Sequence, residues 1–131
     1  MLSYRQRAPR RQNSPRIVSK VAYSFQQWVR GRGCHLAAKG GCGDVPGRKF
    51  VEFAHVNHAG DGGMGTKVSD RYGIPLCPRH HDEQHGQTGP FNTRGGWPTF
   101  ELKYGFYALA AARDYWEAWP GRRAWEAEHG E

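Results

Sequence analysis

Apolar residues near both ends of the chain recur at the period of an α-helix. The first helix is predicted over 20–30, where Ser19 can cap the N-terminus and glycines follow the end. A second, alanine-rich helix is predicted over 106–119 and stops at Pro120. The apolar face of the first helix consists of Val21, Phe25, Trp28 and Val29.

Between these helices the pattern predicts strand, loop, strand and helix. Residues 50–56 alternate, so that His55 at the end of the strand shares a face with the apolar residues two and four positions before it. A glycine-rich loop separates this strand from a second one at 72–76. Pro78 suits the first turn of a helix that continues to about Gln87.

The remaining segments are predicted as a link and a tail. Residues 89–98, rich in proline and glycine, form an irregular link, and the polar tail after Pro120 has no predicted element or role. Aromatic residues that recur at helical spacing more often pack in the core than form a platform on which bases stack. The residues expected to complete the core are Tyr104, Phe106, Tyr107, Tyr115, Trp116 and Trp119.

Composition limits the chain to one domain and gives it a strong positive charge. The 131 residues allow a single core, expected over 19–131. Residues 1–18 have too few apolar side chains to bury and are predicted as a disordered basic arm. No acidic residue precedes Asp44 and the net charge is +7, which indicates a polyanionic partner. The candidate nucleic-acid contacts of the arm are Arg5, Arg7, Arg10, Arg11 and Arg16.

The apolar pattern does not predict a membrane or secreted protein. No apolar run approaches the roughly 20 residues of a membrane helix, and the N-terminus has no signal-peptide pattern. We therefore expect a cytoplasmic protein without a membrane partner. In a reducing compartment the three cysteines would stay thiols, and three cannot all pair within one chain. Metal binding is the expected use for them.

Two pairs of soft ligands predict a structural zinc site. Seven residues separate Cys34 from Cys42, and two separate Cys77 from His80. Together they supply the four ligands of a tetrahedral zinc ion. A chain with only 37% hydrophobic residues would gain folding free energy from such a closed site. The alternative is that the cysteines are buried as small hydrophobic side chains.

Three further histidines have spacings that suit catalysis. His81 and His85 lie four residues apart on the predicted helix, so their imidazoles share a face and suit one cation with open positions for water and substrate oxygen. His55 is the candidate that deprotonates an attacking water. Each histidine alone would more often be a packing or surface residue, and we expect His35 and His58 at the surface.

The ordered set of these residues resembles the HNH, or ββα-metal, endonucleases. It is most similar to the phage and prophage branch that includes the Ref-type recombination-associated nucleases. The resemblance implies an α+β fold with a small ββα-metal core at about 48–90, stabilised by a structural zinc and flanked by helices. It covers about 28–90 and rests on EFAHV at 52–56, GGMGTKVSD at 62–70, IPLCPRHH at 74–81, and His85.

The resemblance also implies roles for individual residues. His55 would be the general base, His81 and His85 would hold the catalytic ion, and the outer Cys/His pairs would hold the structural zinc. Family members often have an Asp or His ligand immediately before the base. Ala54 occupies that position here, so the ion would have two protein ligands.

Other residues near the expected site are assigned from their chemistry. Asp70 is the nearest candidate for the residue that orients the base and Asn57 the second, although an Asp at the start of a strand is equally a turn residue. Lys67 would contact a phosphate or stabilise developing negative charge, unless it is simply a loop lysine. Arg71 and Arg79 flank the site and could contact the DNA backbone.

The sequence therefore predicts a metal-dependent endonuclease that hydrolyses DNA phosphodiester bonds. Its cofactors would be a structural Zn²⁺ and a catalytic Mg²⁺ or Mn²⁺, with Zn²⁺ as a further option. DNA is the expected partner, and a recombinase filament is a candidate only through the Ref analogy. The alternatives are a non-catalytic zinc-stabilised nucleic-acid-binding module, which Ala54 favours, and a recombinase accessory factor that uses the aromatic C-terminal helix. The oligomeric state is left open.

Overall fold

The computed structural model describes residues 21–56, 69–86 and 96–129. In this part of the chain a two-stranded sheet is combined with five α-helices and one 3₁₀ turn, so the predicted α+β class is confirmed. None of the described helices has the length and apolar character needed to cross a membrane. In order, the elements are α1 (Tyr23–Arg30), the 3₁₀ turn (Ala37–Lys39), β1 (Glu52–His55), β2 (Gly73–Leu76), α2 (Pro78–Gln84), α3 (Gly96–Tyr104), α4 (Ala108–Ala118) and α5 (Arg122–His129).

The two strands form an antiparallel hairpin that positions His55. Glu52 pairs with Leu76 and His55 pairs with Gly73, and no third strand pairs with β1 among the described residues. A Cβ atom on Gly73 would lie 2.1 Å from Cζ of Phe53, so only glycine leaves room for this ring. The Phe53 ring in turn contacts the His55 ring edge-on, with centroids 5.1 Å apart. Gly73 therefore helps to fix the position of His55.

The two faces of β1 contact different apolar clusters. On the face of Ala54, the fully buried Ile74 and Leu76 of β2 pack with α3 and α4. On the face of Phe53, α1 packs against the tryptophans at the end of α4. Phe25 is the centre of this second cluster, because it is fully buried and its ring lies 4.9 to 5.7 Å from three other aromatic rings. The hairpin is thus held from both sides.

Helix α3 corrects the prediction of an irregular link over 89–98. Pro98 is the third residue of the helix, where no intrahelical partner is needed for a backbone N–H. Trp97 and Phe100 are buried in the core. The apolar contacts of these two side chains, rather than a sustained helical period, stabilise the element.

The C-terminal region contains two further corrections. Residues 122–129, predicted as a tail without an element, form α5. No residue of α5 is fully buried, but the Trp125 ring packs edge-on against Trp116 with centroids 5.3 Å apart. Tyr107, predicted in the core, is 80% exposed because it lies at the N-cap of α4 and not on its buried face.

Candidate metal centre and histidine site

Four side chains from three parts of the chain meet in one cluster. Cys34 follows α1, Cys42 lies beyond the 3₁₀ turn, and Cys77 and His80 lie at the start of α2. The Nδ1 atom of His80 lies 3.5 Å from the Cys34 sulfur, 3.7 Å from that of Cys42 and 3.2 Å from that of Cys77. All four ligand atoms lie within 4.8 Å of one another. This Cys₃His cluster, which the sequence predicted, could hold a structural metal ion such as zinc.

The dimensions of the cluster fit a tetrahedral zinc ion. With Zn–S bonds of about 2.3 Å and a Zn–N bond of about 2.0 Å, a tetrahedral site places sulfur and nitrogen about 3.5 Å apart. The three sulfur–nitrogen distances, 3.2, 3.5 and 3.7 Å, lie around that value. Thiolate and imidazole are ligands that zinc prefers, and four protein ligands would close the site to solvent.

The local backbone explains why these ligands meet. Cys77 is the N-cap of α2, and its sulfur accepts the backbone N–H of His80 at 3.4 Å. In the facing loop, Gly41 has a φ of 82°, which a residue with a Cβ atom adopts only with strain. The carbonyl of Gly43 then accepts the N–H of Arg79 at 3.2 Å. The loop and the start of the helix are therefore joined directly beside the cluster.

The three thiols differ in how readily they ionise. Burial raises the pKa of Cys34, and burial together with the neighbouring cysteine thiols raises the pKa of Cys42 to about 12. For Cys77 burial also acts against the thiolate, but the hydrogen bond from the His80 backbone N–H helps to outweigh it, so this pKa is lowered. A divalent cation would offset the charge of all three thiolates, which the protein groups alone do not.

His55 ends β1 and is held by a buried carboxylate. Its Nε2 atom lies 2.8 Å from Oδ1 of Asp70, which is only 1% exposed. The other oxygen, Oδ2, accepts the backbone N–H of Ala22 at 2.6 Å and the amide of Gln26 at 2.8 Å. Burial alone would raise the pKa of Asp70, but these hydrogen bonds outweigh it and the pKa is lowered. An ionised Asp70 accepts the Nε2–H of His55, which leaves Nδ1 as the basic nitrogen.

Glu52 connects β1 to α2 and was not singled out from the sequence. Its Oε1 atom lies 2.8 Å from Nδ1 of His81, and the Arg48 guanidinium binds its two oxygens at 2.7 and 2.8 Å. Arg48 also pairs with Asp82 at 2.9 Å. The contact with Arg48, opposed by burial and assisted by His81, lowers the pKa of Glu52 to about 2. The ionised carboxylate accepts Nδ1–H of His81, so Nε2 of that ring has the lone pair.

His81 and His85 are neighbours, as their spacing predicts. Their ring centroids lie 4.9 Å apart, and burial followed by the nearby His81 lowers the pKa of His85. In the described part of the chain, His55 does not join them in a group whose ligand atoms all lie within 4.8 Å. Strand alternation explains the separation, because Glu52, which contacts His81, and His55 leave opposite faces of β1.

A groove runs along β1 and is bordered by His55 and Glu52. It has a volume of about 530 Å³ and lies between α1 and residues 47–50. Its described lining includes both His55 and Glu52 but neither His81 nor His85. Glu52 is the only acid in the described lining, against three basic residues, Arg30, Arg48 and Lys49.

The other predicted DNA contacts are placed differently or lie outside the described residues. The guanidinium of Arg71 lies 5.2 Å from the centre of the Trp116 ring, toward the C-terminal helices. Arg79 is exposed, and its side chain packs over Gly43. Lys67, Asn57, His58 and the five arginines of the predicted arm are outside the described part of the chain. Their roles stay predictions.

His35 is a correction to the prediction of a surface residue. It is half-buried, with its ring centroid 5.2 Å from that of Phe106 and its Nδ1 hydrogen-bonded to the Tyr115 hydroxyl at 2.8 Å. Burial lowers the pKa of His35, against a smaller opposing effect of Asp114. His35 therefore packs the segment between Cys34 and Cys42 onto α4.

Comparison with known proteins relates the chain to a family and to one bacterial relative. The family described as "Protein of unknown function (DUF968)" matches residues 10–112. The chain is 35% identical over 92 residues to "Uncharacterized protein YdfU" of Escherichia coli (strain K12). That alignment covers 70% of this chain and 24% of YdfU, so the chain spans about a quarter of the length of that relative. No solved structure matches the chain. The chain belongs to the DUF968 family.

Proposed function

We propose that this protein is a metal-dependent endonuclease that hydrolyses DNA phosphodiester bonds. One observation carries the proposal: His55 is oriented by a buried carboxylate and borders a groove lined by three basic residues. A groove with an excess of positive charge suits a phosphate backbone. A histidine at its edge, with one nitrogen fixed as a donor, suits the removal of a proton from water.

In this proposal His55 is the general base and Asp70 is its positioning residue. Asp70 holds the tautomer in which Nδ1 of His55 is unprotonated. Nδ1 takes one proton from a water molecule while the water oxygen forms a new bond to phosphorus. The opposite phosphorus–oxygen bond breaks, the leaving alkoxide oxygen takes a proton from solvent water, and the negative charge of Asp70 stabilises the imidazolium that forms on His55.

His81 and His85 are the residues that would hold the catalytic cation. The contact between Glu52 and Nδ1 of His81 supports this, because ligating histidines commonly donate their other N–H to a carboxylate. Ala54 offers no ligand, so phosphate and water oxygens would complete the coordination. When bound, the cation supplies charge stabilisation for the reacting phosphate. Imidazole ligands bind transition metals better than Mg²⁺, so Mn²⁺ is expected to support activity better than Mg²⁺.

The structural zinc and the basic arm have supporting roles in the proposal. A zinc ion in the Cys₃His cluster would hold the start of α2, and with it the histidine pair, beside the hairpin. The arginines of 1–18 would add affinity that is independent of sequence and falls with salt. A phage or prophage origin, a role in DNA recombination or processing in the cytoplasm of a bacterial host, and association with a recombinase filament rest only on the resemblance to Ref-type nucleases.

Nicking of supercoiled plasmid DNA tests the proposal. We expect the zinc-loaded protein to nick in the presence of Mn²⁺ or Mg²⁺, and His55→Ala to lose about 100-fold or more in rate, as expected for the removal of a general base. His129→Ala is the matched control, since His129 hydrogen-bonds only to the backbone of its own helix α5 in the described structure. Absence of nicking with either cation, or equal rates for the two variants, would refute the proposal.

A second candidate function is a non-catalytic zinc-stabilised module that binds nucleic acid. The separation of His55 from the helix histidines and the absence of a ligand at Ala54 favour it. Such a module would bind DNA as tightly after His81→Ala as before it, and would nick with neither cation. Loss of Mn²⁺ binding together with loss of nicking in His81→Ala would instead favour the enzyme.

A further inference from the structure

One large aromatic side chain in the groove is almost fully exposed. Phe50, immediately before β1, is 83% exposed and belongs to the lining of the groove that His55 borders. We propose that this groove takes an unpaired stretch of DNA, with one base stacked on Phe50. The inference rests on the proposed nuclease function and names its substrate class as single-stranded DNA, or DNA with a single-stranded segment.

The surroundings of Phe50 distinguish it from an exposed apolar residue of no significance. Isolated apolar side chains are common on protein surfaces. Phe50, however, directly follows two basic residues of the groove, Arg48 and Lys49, and lines the same groove as Arg30. Basic side chains that follow a backbone beside an aromatic ring are the combination used to bind single-stranded nucleic acid.

Two of the three basic residues of the groove are available to bind phosphate. Arg48 is already paired with Glu52 and Asp82. Among the described residues, Arg30 and Lys49 have no carboxylate oxygen within 4.0 Å. Within the described part of the chain these two cations therefore line the groove without a protein counter-charge, so both are available to the phosphates of a bound strand.

The chemistry of stacking selects an unpaired base. In a duplex each base is covered on both faces by its neighbours, so a protein ring reaches a base face only where the stack is interrupted. The volume of about 530 Å³ lies in the range of roughly 300–1,000 Å³ of sites that hold small organic ligands, which is suitable for a nucleotide unit. Double-stranded DNA would meet only the phosphate contacts.

Binding measured without catalysis tests this inference. Fluorescence anisotropy of labelled oligothymidylate and of a hairpin duplex is recorded with the full zinc-loaded chain and no added Mg²⁺ or Mn²⁺. We expect Phe50→Ala to weaken single-strand binding by about 5-fold to 150-fold, the equivalent of one lost stack, and duplex binding by less than about 2-fold. Phe50→Trp, which keeps a stacking ring, should bind the single strand at least as tightly as the parent.

Tyr107→Ala is the matched control, because Tyr107 is 80% exposed and lies outside the lining of this groove. It should leave both affinities unchanged. Equal single-strand affinities for Phe50→Ala and Tyr107→Ala would overturn the inference, and so would an equal loss on single strand and duplex. If the protein nicks plasmid but gives either of these two binding results, the proposed nuclease function stands and the proposed single-stranded substrate is refuted. Phe50-dependent binding without nicking keeps the single-strand groove and refutes the nuclease.

Discussion

Removal of one cysteine from the metal cluster should destabilise the whole fold. Cys42 is the best position for the test, because it is exposed as a residue and Cys42→Ser loses almost no apolar packing. Its sulfur nevertheless lies 3.7 Å from the ring nitrogen of His80, where a shared zinc ion would bind both. A change in stability therefore reports the metal and not the core.

The expected magnitude follows from ligand linkage. If zinc is present at about 1,000 times its dissociation constant, binding stabilises the folded state by about 4 kcal/mol. For a chain of this length each kcal/mol changes Tm by roughly 4 °C, so Cys42→Ser should lower Tm by about 15 °C. This loss is comparable to the total stability of many domains.

Thermal unfolding, followed by circular dichroism with and without a strong chelator, checks the value. The chelator should lower the Tm of the parent by a similar amount and leave Cys42→Ser nearly unchanged, because both remove the same interaction. Ala38→Ser, an exposed substitution in the same loop, should behave as the parent. The reasoning fails if the parent contains no zinc after purification, or if the chelator lowers Tm equally in parent and Cys42→Ser.

Three further outcomes are expected. Phe25→Ala should cost about 3–5 kcal/mol in the free energy of unfolding measured with urea, since it empties the centre of an aromatic cluster, whereas Tyr23→Ala, 72% exposed, should cost under about 0.5 kcal/mol. The pKa of Asp70 is lowered in the folded protein, so ionised Asp70 stabilises the fold fully at pH values above the pKa of an unfolded Asp. This stabilisation is lost as the pH falls through the lowered pKa of the folded state. Asp70→Asn should therefore flatten the fall of stability below about pH 4, and an unchanged slope would contradict this. Gly73→Ala should displace the Phe53 ring and reduce any nicking without removing zinc, as metal analysis alongside the nicking assay would show.

Local chemistry explains why part of the site was predictable. The ligand types of the Cys₃His cluster and the short spacing from Cys77 to His80 point to a candidate metal site without any knowledge of the fold. The i,i+4 spacing likewise brings His81 beside His85, because helix geometry alone determines which side chains are neighbours.

The partners of the histidines could not be predicted in the same way. Asp70 was only the nearest of two weak candidates, and its contact with His55 depends on α1, which supplies Ala22 and Gln26 to the same carboxylate. For Glu52 the sequence showed only that it lies on the same face of the strand as Ala54, two residues further on. Strand alternation does not show which helix packs against that face. Long-range packing decided both contacts.

The two missed helices have a common cause. The segment that forms α3 begins with glycine and has a proline as its third residue, and α5 has no fully buried residue. Helix α3 has almost no apolar face at the helical period, and α5 has such a face but is polar over most of its length. Glu83 of α2 accepts hydrogen bonds from Lys103 and Tyr104 of α3, so contacts from elsewhere in the chain stabilise that helix.

By itself the sequence determined the α+β class, the positive charge, the four residues of the Cys₃His cluster and the strand that ends at His55. These properties depend on residue type and on spacings of a few residues, which short-range geometry converts directly into structure. Only the tertiary structure decided that His81 contacts Glu52, on the face of β1 opposite to His55. The same holds for the exposure of Tyr107, the burial of His35, and the groove that basic residues from distant segments line. Those features depend on which elements pack together, and the free energy of that packing is a property of the whole core.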